Sequence, residues 1–407
     1  MITTRQFSLR PESELLVWCA RTAMTDEIKE RIRQRVQGPL DWAVVLDLAG
    51  YHGVGPLLYR NLSTLCSDLV PAESLARLRQ WTQASAMLNR VLAQELVVLC
   101  EAFAAHGVPV IPIKGATLAV SAYGDLTLRD YTDMDLLVPK GSIAEVEAVL
   151  LALGYERTDS STHSGETDHE EWPFHGFIKK GTLFRVDLQW VMVDQHFVFQ
   201  LDRPEFWQRR TTVSLANKTV QELAPEDLLI VLCVHGSKHA WDQLKWVCDV
   251  AELLRAHDHL DWDRIFTNAS TWRCRRLVYI GLSLAHLVLN APLPEAVVAQ
   301  FSADSDVRML SQRMPVTLLE NYRDGVSEEQ AVALYFSLKD SWWERWRFGL
   351  MLCRDQSPMA TTPPVWFRWR TSLPLLARLV LPFCRTMRIV FPSAIRVAIN
   401  RWVEHGG

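Results

Sequence analysis

Residues 108–138 read VPVIPIKGATLAVSAYGDLTLRDYTDMDLLV, and this stretch decides the fold that we expect for the chain. It opens with the apolar run Val108 to Ile113, where β-branched side chains and two prolines predict a strand near a sheet edge. Lys114-Gly115 follows, and then ATLAVSAYG, which predicts a helix. A glycine turn, a lysine and the unpaired N–H groups of a helix start together predict a cradle for phosphate.

Two aspartates stand at the start of the next predicted strand. Asp133 and Asp135 precede the apolar run Leu136 to Val138, so both carboxylates are expected on the same side of the strand. Carboxylates this close repel one another unless a cation lies between them, and Mg²⁺ or Mn²⁺ accepts such oxygen ligands. A phosphate site beside a metal site is what metal-assisted phosphoryl or nucleotidyl transfer requires.

A third carboxylate lies in the stretch Leu183 to Trp190, which alternates between apolar and polar residues and therefore predicts another strand. Its apolar face includes Val186, and its other face carries Asp187 and Gln189. If this strand pairs beside the strand of the two aspartates, Asp187 completes a cluster of three carboxylates.

These residues, in this order, resemble the core of the polymerase-β type of nucleotidyltransferase fold. The similarity is to an uncharacterised bacterial group with a Lys-Gly, Arg, Asp-x-Asp core, related to abortive-infection and toxin nucleotidyltransferases. The matching residues are Lys114, Gly115, Thr117, Leu118, Arg129, Asp133, Asp135 and Asp187. The resemblance runs from about Asp41 to about Arg255, and Gln189 stands where many relatives carry histidine.

The resemblance implies roles for these side chains in nucleotidyl transfer. Asp133, Asp135 and Asp187 are expected to be catalytic and to hold Mg²⁺ or Mn²⁺. Residues expected to meet the nucleoside triphosphate, for which ATP is the expected choice, are Lys114, Gly115, Thr117, Arg129, Lys238 and Lys245. Arg129 is expected either to stabilise the leaving pyrophosphate or to orient Asp133.

The length, composition and charge of the chain narrow the class of protein that we expect. The chain has 407 residues, with 49% hydrophobic and 22% charged residues, which is typical of a globular protein of two or three domains. The net charge of −4 excludes a global basic footprint for nucleic acid. Eight scattered cysteines without a Cys-x-x-Cys pair predict reduced, buried thiols, and neither a signal peptide nor a transmembrane run is expected. We therefore predict a cytoplasmic protein.

We predict an α+β fold in which helical regions clasp a small mixed β-sheet. The predicted divisions are an N-terminal helical region over residues 1–106, the nucleotidyltransferase core over 107–222, a helical domain packing over the nucleotide site at 223–340, and a tail at 341–407. The tail mixes tryptophan with arginine. It is expected either to pack on the body or to contact weakly an anionic surface such as a membrane or RNA.

Two helical segments after residue 223 carry polar residues within apolar runs. His235 and His239 are four residues apart, so they share a helix face and predict substrate-facing or core-lining side chains in preference to a zinc site. Lys245 and Asp249 share a face and are candidates to pair. The polar residues 158–171 predict a loop.

The sequence thus predicts a metal-dependent nucleotidyltransferase that moves a nucleoside monophosphate onto a hydroxyl of RNA, protein, peptide or a small molecule. Two alternatives stay open: a phosphotransferase that uses the same metal site, and an inactive binding module.

Overall fold

The computed structural model describes residues 9–158, 174–194, 197–320, 328–346 and 348, which belong to two compact units, residues 1–325 and 326–407. In the first unit the helices are α1 (Pro11–Cys19), α2 (Asp26–Gln37), α3 (Trp42–Tyr51), α4 (Gly55–Leu65), α5 (Ala72–Ala105), α6 (Gly115–Ser121), α7 (Ile143–Ala152), α8 (Pro204–Arg209), α9 (Pro225–Lys238), α10 (Leu244–Ala256), α11 (Trp262–Thr271), α12 (Arg275–Leu289), α13 (Glu295–Ala303) and α14 (Ser305–Glu320). The strands are β1 (Ile111–Pro112), β2 (Asp133–Leu137), β3 (Tyr155–Arg157), β4 (Phe174–Lys179), β5 (Arg185–Gln189), β6 (Val191–Asp194), β7 (Phe197–Gln200), β8 (Thr211–Leu215) and β9 (Lys218–Glu222). The second unit contains α15 (Glu328–Ser337).

The central sheet has the strand order β1-β2-β5-β4-β3. The β2–β5 pair is parallel, and the other three pairs are antiparallel. The predicted α+β class with a small mixed sheet is therefore confirmed. The predicted neighbours of the acidic strand are confirmed as well, because β1 and β5 flank β2.

The strand β1 is shorter than the predicted run Val108 to Ile113. Val108 belongs to the turn that closes α5, where its N–H donates to the carbonyl of Phe103 at 2.9 Å. Pro109 and Pro112 supply no N–H, so ladder bonds form only where another residue can donate. Ile113 does donate, to the carbonyl of Asp135 at 3.0 Å, and this bond fixes the end of β1 beside β2.

The core under the sheet follows from the alternation along β2 and β5. Met134, Leu136, Val186 and Leu188 are buried at 3% exposure or less, as the period-two pattern predicts. They pack in one hydrophobic cluster with α5 and α7. The rigid end of β2 that carries Asp133 is thereby held by the interior of the protein.

Two hairpins extend the fold beside the central sheet. In the β8–β9 hairpin, the turn residues Ala216 and Asn217 have φ of 48° and 63°, which is typical of a type I′ turn. The β6–β7 hairpin was not predicted, because its strands VMVD and FVFQ are short apolar runs without a period or a turn dipeptide.

The helices after β9 close over the sheet edge that carries the aspartates. The helix α9 is almost wholly buried, and α10 starts at a point fixed by the turn that follows α3. There the N–H of Leu244 donates to the ring nitrogen Nδ1 of His52 at 3.2 Å. The N–H of Lys245 donates to the backbone carbonyl of His52 at 3.1 Å. N-terminal and C-terminal helical segments thus both brace this edge.

The second unit is described only in part. Beyond α15, the rings of Trp343 and Trp346 stack at 4.7 Å, and Trp342 is exposed. Most of the predicted tail at 341–407 and of the predicted loop at 158–171 lies outside the described residues. Within the described ranges, no helix combines the length and apolarity needed to cross a membrane.

Candidate active site

The acidic edge of the sheet consists of Asp133, Asp135 and Asp187. The parallel register sets Asp135 directly opposite Asp187, and Asp133 lies two residues earlier on the same face of β2. All three side chains are half-buried, whereas Met134 between the first two is buried. On the other side of Asp187, the antiparallel partner in β4 is Gly176, which adds no side chain there.

Lys114 joins this edge from β1 and supplies a counter-charge. Its Nζ lies 2.8 Å from Oδ2 of Asp135, and the two side chains are only 9% and 8% exposed. The backbone of Lys114 has φ 152° and ψ −141°, a region that side-chain-bearing residues rarely adopt. Strain of this kind persists only where the surroundings enforce it. The contacts on either side of this residue are the 3.0 Å bond from the N–H of Ile113 to the carbonyl of Asp135 and the ion pair of the Lys114 side chain with Asp135.

Gly115 and Thr117 shape the turn behind Lys114. Gly115 has φ +54°, and a Cβ there would lie 3.6 Å from the carbonyl oxygen of Asp133. The conformation therefore favours glycine, and it brings the chain close to the acidic strand. Thr117 is 1% exposed, and its hydroxyl donates to the carbonyl of Lys114 at 2.9 Å. This hydroxyl is engaged in holding the turn, and the helix that follows is a short one of seven residues.

Burial and the charge of Asp135 raise the pKa values of Asp133 and Asp187. Burial and then the charge of Asp135 raise the pKa of Asp133. Burial, again followed by Asp135, raises the pKa of Asp187 to about 6, although Arg185 at 3.4 Å opposes the rise. Burial is the larger cause of both rises, and the negative charge of Asp135 adds to it.

Gln189 is a site residue whose role the sequence left open. It lies on the same face of β5 as Asp187, and its Nε2 donates to Oδ1 of Asp135. Asp135 therefore receives a lysine on one oxygen and an amide on the other. The alternation of β5 was the signal for this position, since it predicted Asp187 and Gln189 on one face.

Arg129 does not face the acidic edge directly. Its guanidinium donates to both oxygens of Asp249 in α10, at 2.7 and 2.8 Å, and the hydroxyl of Tyr123 donates to the same carboxylate at 2.7 Å. The Arg129 and Asp249 side chains are 7% and 1% exposed. Burial disfavours the charged arginine, but Asp249 raises the pKa of Arg129 above its usual value. The predicted pairing of Asp249 with Lys245 is wrong, because Asp249 is occupied by Arg129.

The helices α9 and α10 bring histidines and lysines to the same edge. Nζ of Lys114 lies 3.4 Å from Nε2 of His235. Burial, and then the charge of Lys114, lowers the pKa of His235 well below its usual value, so the ring is neutral and can accept from the lysine. The exposed ring of His239 stacks on the indole of Trp246 at 4.6 Å.

Lys245 is a further cation near the acidic edge, and its charge lowers the pKa of Asp133. Its pKa is lowered by burial and then by Arg129, and Asp133 is among the groups that oppose the shift. In the described part of the chain it has no ion pair within 4.0 Å. Lys238 also reaches this region, since its charge lowers the pKa of both histidines.

Within the described ranges, no three histidine, cysteine, aspartate or glutamate side chains are already arranged to ligate one ion. The chemistry of Asp133, Asp135 and Asp187 nevertheless fits Mg²⁺, because their oxygens are hard ligands and the strand register brings the three carboxylates to one edge of the sheet. His235 lies beside Lys114 and His239 stacks on the indole of Trp246, and the expected substrate-facing or core-lining role of the two rings stays a prediction.

The sequence matches the family described as uncharacterised nucleotidyltransferase over residues 38–290. The match covers more than half of the chain, from the N-terminal helices through the central sheet to α12, so the chain belongs to this family. The curated proteins include no match. The chain is thus a member of a nucleotidyltransferase family, as the Lys-Gly and Asp-x-Asp core predicted.

Proposed function

We propose that the protein is a metal-dependent nucleotidyltransferase that transfers a nucleoside monophosphate from a triphosphate to a hydroxyl acceptor. The observation that carries the proposal is the β2–β5 register, which sets Asp135 opposite Asp187 with Asp133 on the same face. Family membership supports the class of reaction. Lys238 of α9 and Lys245 of α10 support a triphosphate site on the side of the acidic edge that faces these two helices.

Asp133, Asp135 and Asp187 would hold the divalent ions. Bound Mg²⁺ or Mn²⁺ would neutralise charge on the phosphates and lower the barrier to displacement at phosphorus. Lys114 now balances Asp135, so we infer that its ammonium turns towards phosphate oxygens once a cation takes over that charge. The neutral ring of His235 beside Lys114 leaves the lysine's charge available for this role.

The triphosphate would lie between the acidic edge and α10. Lys245 is the most direct candidate for its phosphates, because it is half-buried beside the aspartates and has no ion pair in the described part of the chain. Lys238 and the amide of Gly115 are further candidates. Thr117 would act by stabilising the turn at Lys114, because its hydroxyl already donates to the carbonyl of Lys114. Arg129 would act through its positive charge near Asp133, because its guanidinium is already bound to Asp249.

In the reaction, an acceptor hydroxyl oxygen would attack the α-phosphorus. A new phosphorus–oxygen bond forms, the bond to the β-phosphate bridge breaks, and pyrophosphate leaves. The hydroxyl proton would pass to Asp187, which lies opposite Asp135. The acceptor class remains RNA, protein, peptide or small molecule, ATP is the expected donor, and we propose the cytoplasm as the compartment because described cysteines such as Cys233 are buried free thiols.

Labelled triphosphates separate the proposal from its alternatives. The protein is incubated with Mg²⁺, a cell extract as the source of acceptors, and ATP labelled either at the α-phosphate or at the γ-phosphate. We expect the α-label alone to enter new products, and Asp133→Asn to lower this incorporation about a hundredfold or more. Transfer of the γ-label would indicate a phosphotransferase. The incubation is repeated with GTP, CTP and UTP labelled in the same two positions. Incorporation of neither label from any of the four nucleoside triphosphates would favour a binding module.

A further inference from the structure

A cavity of about 420 Å³ lies between the C-terminal half of α5, the segment that leads into β1, and β9. Val108 and Val110 line it, whereas Lys114, Asp133, Asp135 and Asp187 of the acidic edge are not among its lining residues. The cavity is therefore separate from the candidate active site. Its volume falls within the range typical of small-molecule sites.

Apolar side chains form part of the cavity wall, beside the polar residues Glu101, Lys218, Thr219 and Gln221. Val97, Phe103 and Val220 are 7%, 1% and 2% exposed, and the half-buried Trp207 adds an indole. Cys100 also lines the cavity, and burial raises the pKa of its thiol to about 12. The thiol stays protonated at neutral pH and forms part of the wall without acting as a nucleophile.

The mouth of the cavity carries a net positive charge. Arg210 donates from Nε to Oε1 of Gln221 at 2.9 Å and from Nη1 to the carbonyl of Trp207, and within the described ranges its Nη2 has no partner. Lys218 pairs with Glu101 at 2.7 Å, so these two charges cancel. The mouth therefore presents one uncompensated charge with unused donors above a partly apolar chamber.

We propose that this cavity binds a small amphipathic anion, with its apolar body against α5 and β9 and its single carboxylate or sulfonate at Arg210. The guanidinium fits a carboxylate because its planar N–H groups can donate to both oxygens. An apolar body is expected because Val97, Val108 and Val220 line the cavity from α5, from the segment before β1 and from β9. The proposal is independent of the nucleotidyl transfer proposed above.

The fluorescent anion 8-anilinonaphthalene-1-sulfonate serves as the probe, titrated into the full chain and displaced with octanoate. We expect saturable binding that octanoate displaces at least about tenfold more effectively than octanol or octylammonium. Ala104→Trp, on an exposed α5 residue that lines the cavity, should abolish this component by filling the space. Arg210→Gln should weaken it about tenfold, equivalent to about 1.4 kcal/mol.

Arg79→Gln is the matched control, because Arg79 is an exposed residue of α5 outside the cavity, and it should bind as the wild type does. Thr219→Trp fills the cavity from β9 and replaces Ala104→Trp if that variant does not fold. Wild-type affinity in a folded tryptophan variant, or equal displacement by octanoate and octylammonium, would overturn the proposal. Absence of saturable binding by the wild type would overturn it as well.

Discussion

The buried pair of Arg129 and Asp249 ties the sheet core to α10, and Asp249→Asn should destabilise the protein severely. Asp249 accepts two bonds from Arg129 and one from Tyr123, and it is 1% exposed. The asparagine amide would place N–H donors against a guanidinium that has only donors, and it would leave that charge buried without a partner. Breaking a buried pair in this way costs about 3–5 kcal/mol. At roughly 2 °C per kcal/mol, we expect Tm to fall by about 6–10 °C in calorimetry.

Two companion variants test the reasoning. Glu27→Gln removes the exposed partner of Arg31, a surface pair one turn apart in α2, and should change the free energy of unfolding by about 0.5 kcal/mol or less. Replacing Arg129 by Met together with Asp249 by Leu removes both buried charges and should cost less than the sum of the single changes. An Asp249→Asn variant with the same Tm as the wild type would refute the account of this pair.

Three further predictions have defined outcomes. Gly236→Ala should lower the free energy of unfolding by about 1–3 kcal/mol in denaturant titrations, because its Cβ would lie 2.4 Å from the ring of Trp241, which is 1% exposed. The matched Gly50→Ala has no atom within 4 Å and should stabilise α3 by up to about 1 kcal/mol; equal effects at both sites would contradict the packing argument. Lys114→Gly should be more stable than Lys114→Met by about 1–3 kcal/mol in the same titrations, because only glycine relieves the strained backbone, and equal stability would exclude that strain. Burial raises the pKa of Asp242 from 3.8 to about 6, so the folded state binds the extra proton and its stability should fall as pH rises through that window. Asp242→Asn should therefore raise Tm at pH 8 and not at pH 4, and an unchanged profile of Tm against pH would show that this carboxyl does not contribute.

The strands of the site could be predicted because each carries a simple period. The alternation in β2 and β5 set Asp133, Asp135 and Asp187 on their faces, whereas the pairing of the two strands, a condition at the sequence level, is shown by the structure. Their functional assignment stays a prediction. The contacts of Gln189 could not be predicted, because pairing register is a property of two strands and not of one segment.

The partners of charged residues were harder to predict than the elements that carry them. Lys245 and Asp249 share a helix face, but the buried Arg129 reaches Asp249 from 120 residues away along the chain. Lys114 was predicted to meet phosphate, and in this structure its ammonium lies on Asp135. Long-range pairing depends on how α10 packs on the core, which local spacing does not encode.

The most direct test of the central claim is calorimetric binding of nucleoside triphosphates with and without Mg²⁺. Binding does not require the acceptor to be known, and each of the four nucleotides can be examined. We expect binding that weakens at least about tenfold when Mg²⁺ is chelated, and we expect this dependence to disappear in Asp133→Asn, Asp135→Asn and Asp187→Asn. The control Asp263→Asn changes an exposed aspartate of α11 and should behave as the wild type. Undiminished Mg²⁺-dependent binding by both Asp133→Asn and Asp135→Asn would contradict the assignment of the acidic edge as the metal–nucleotide site.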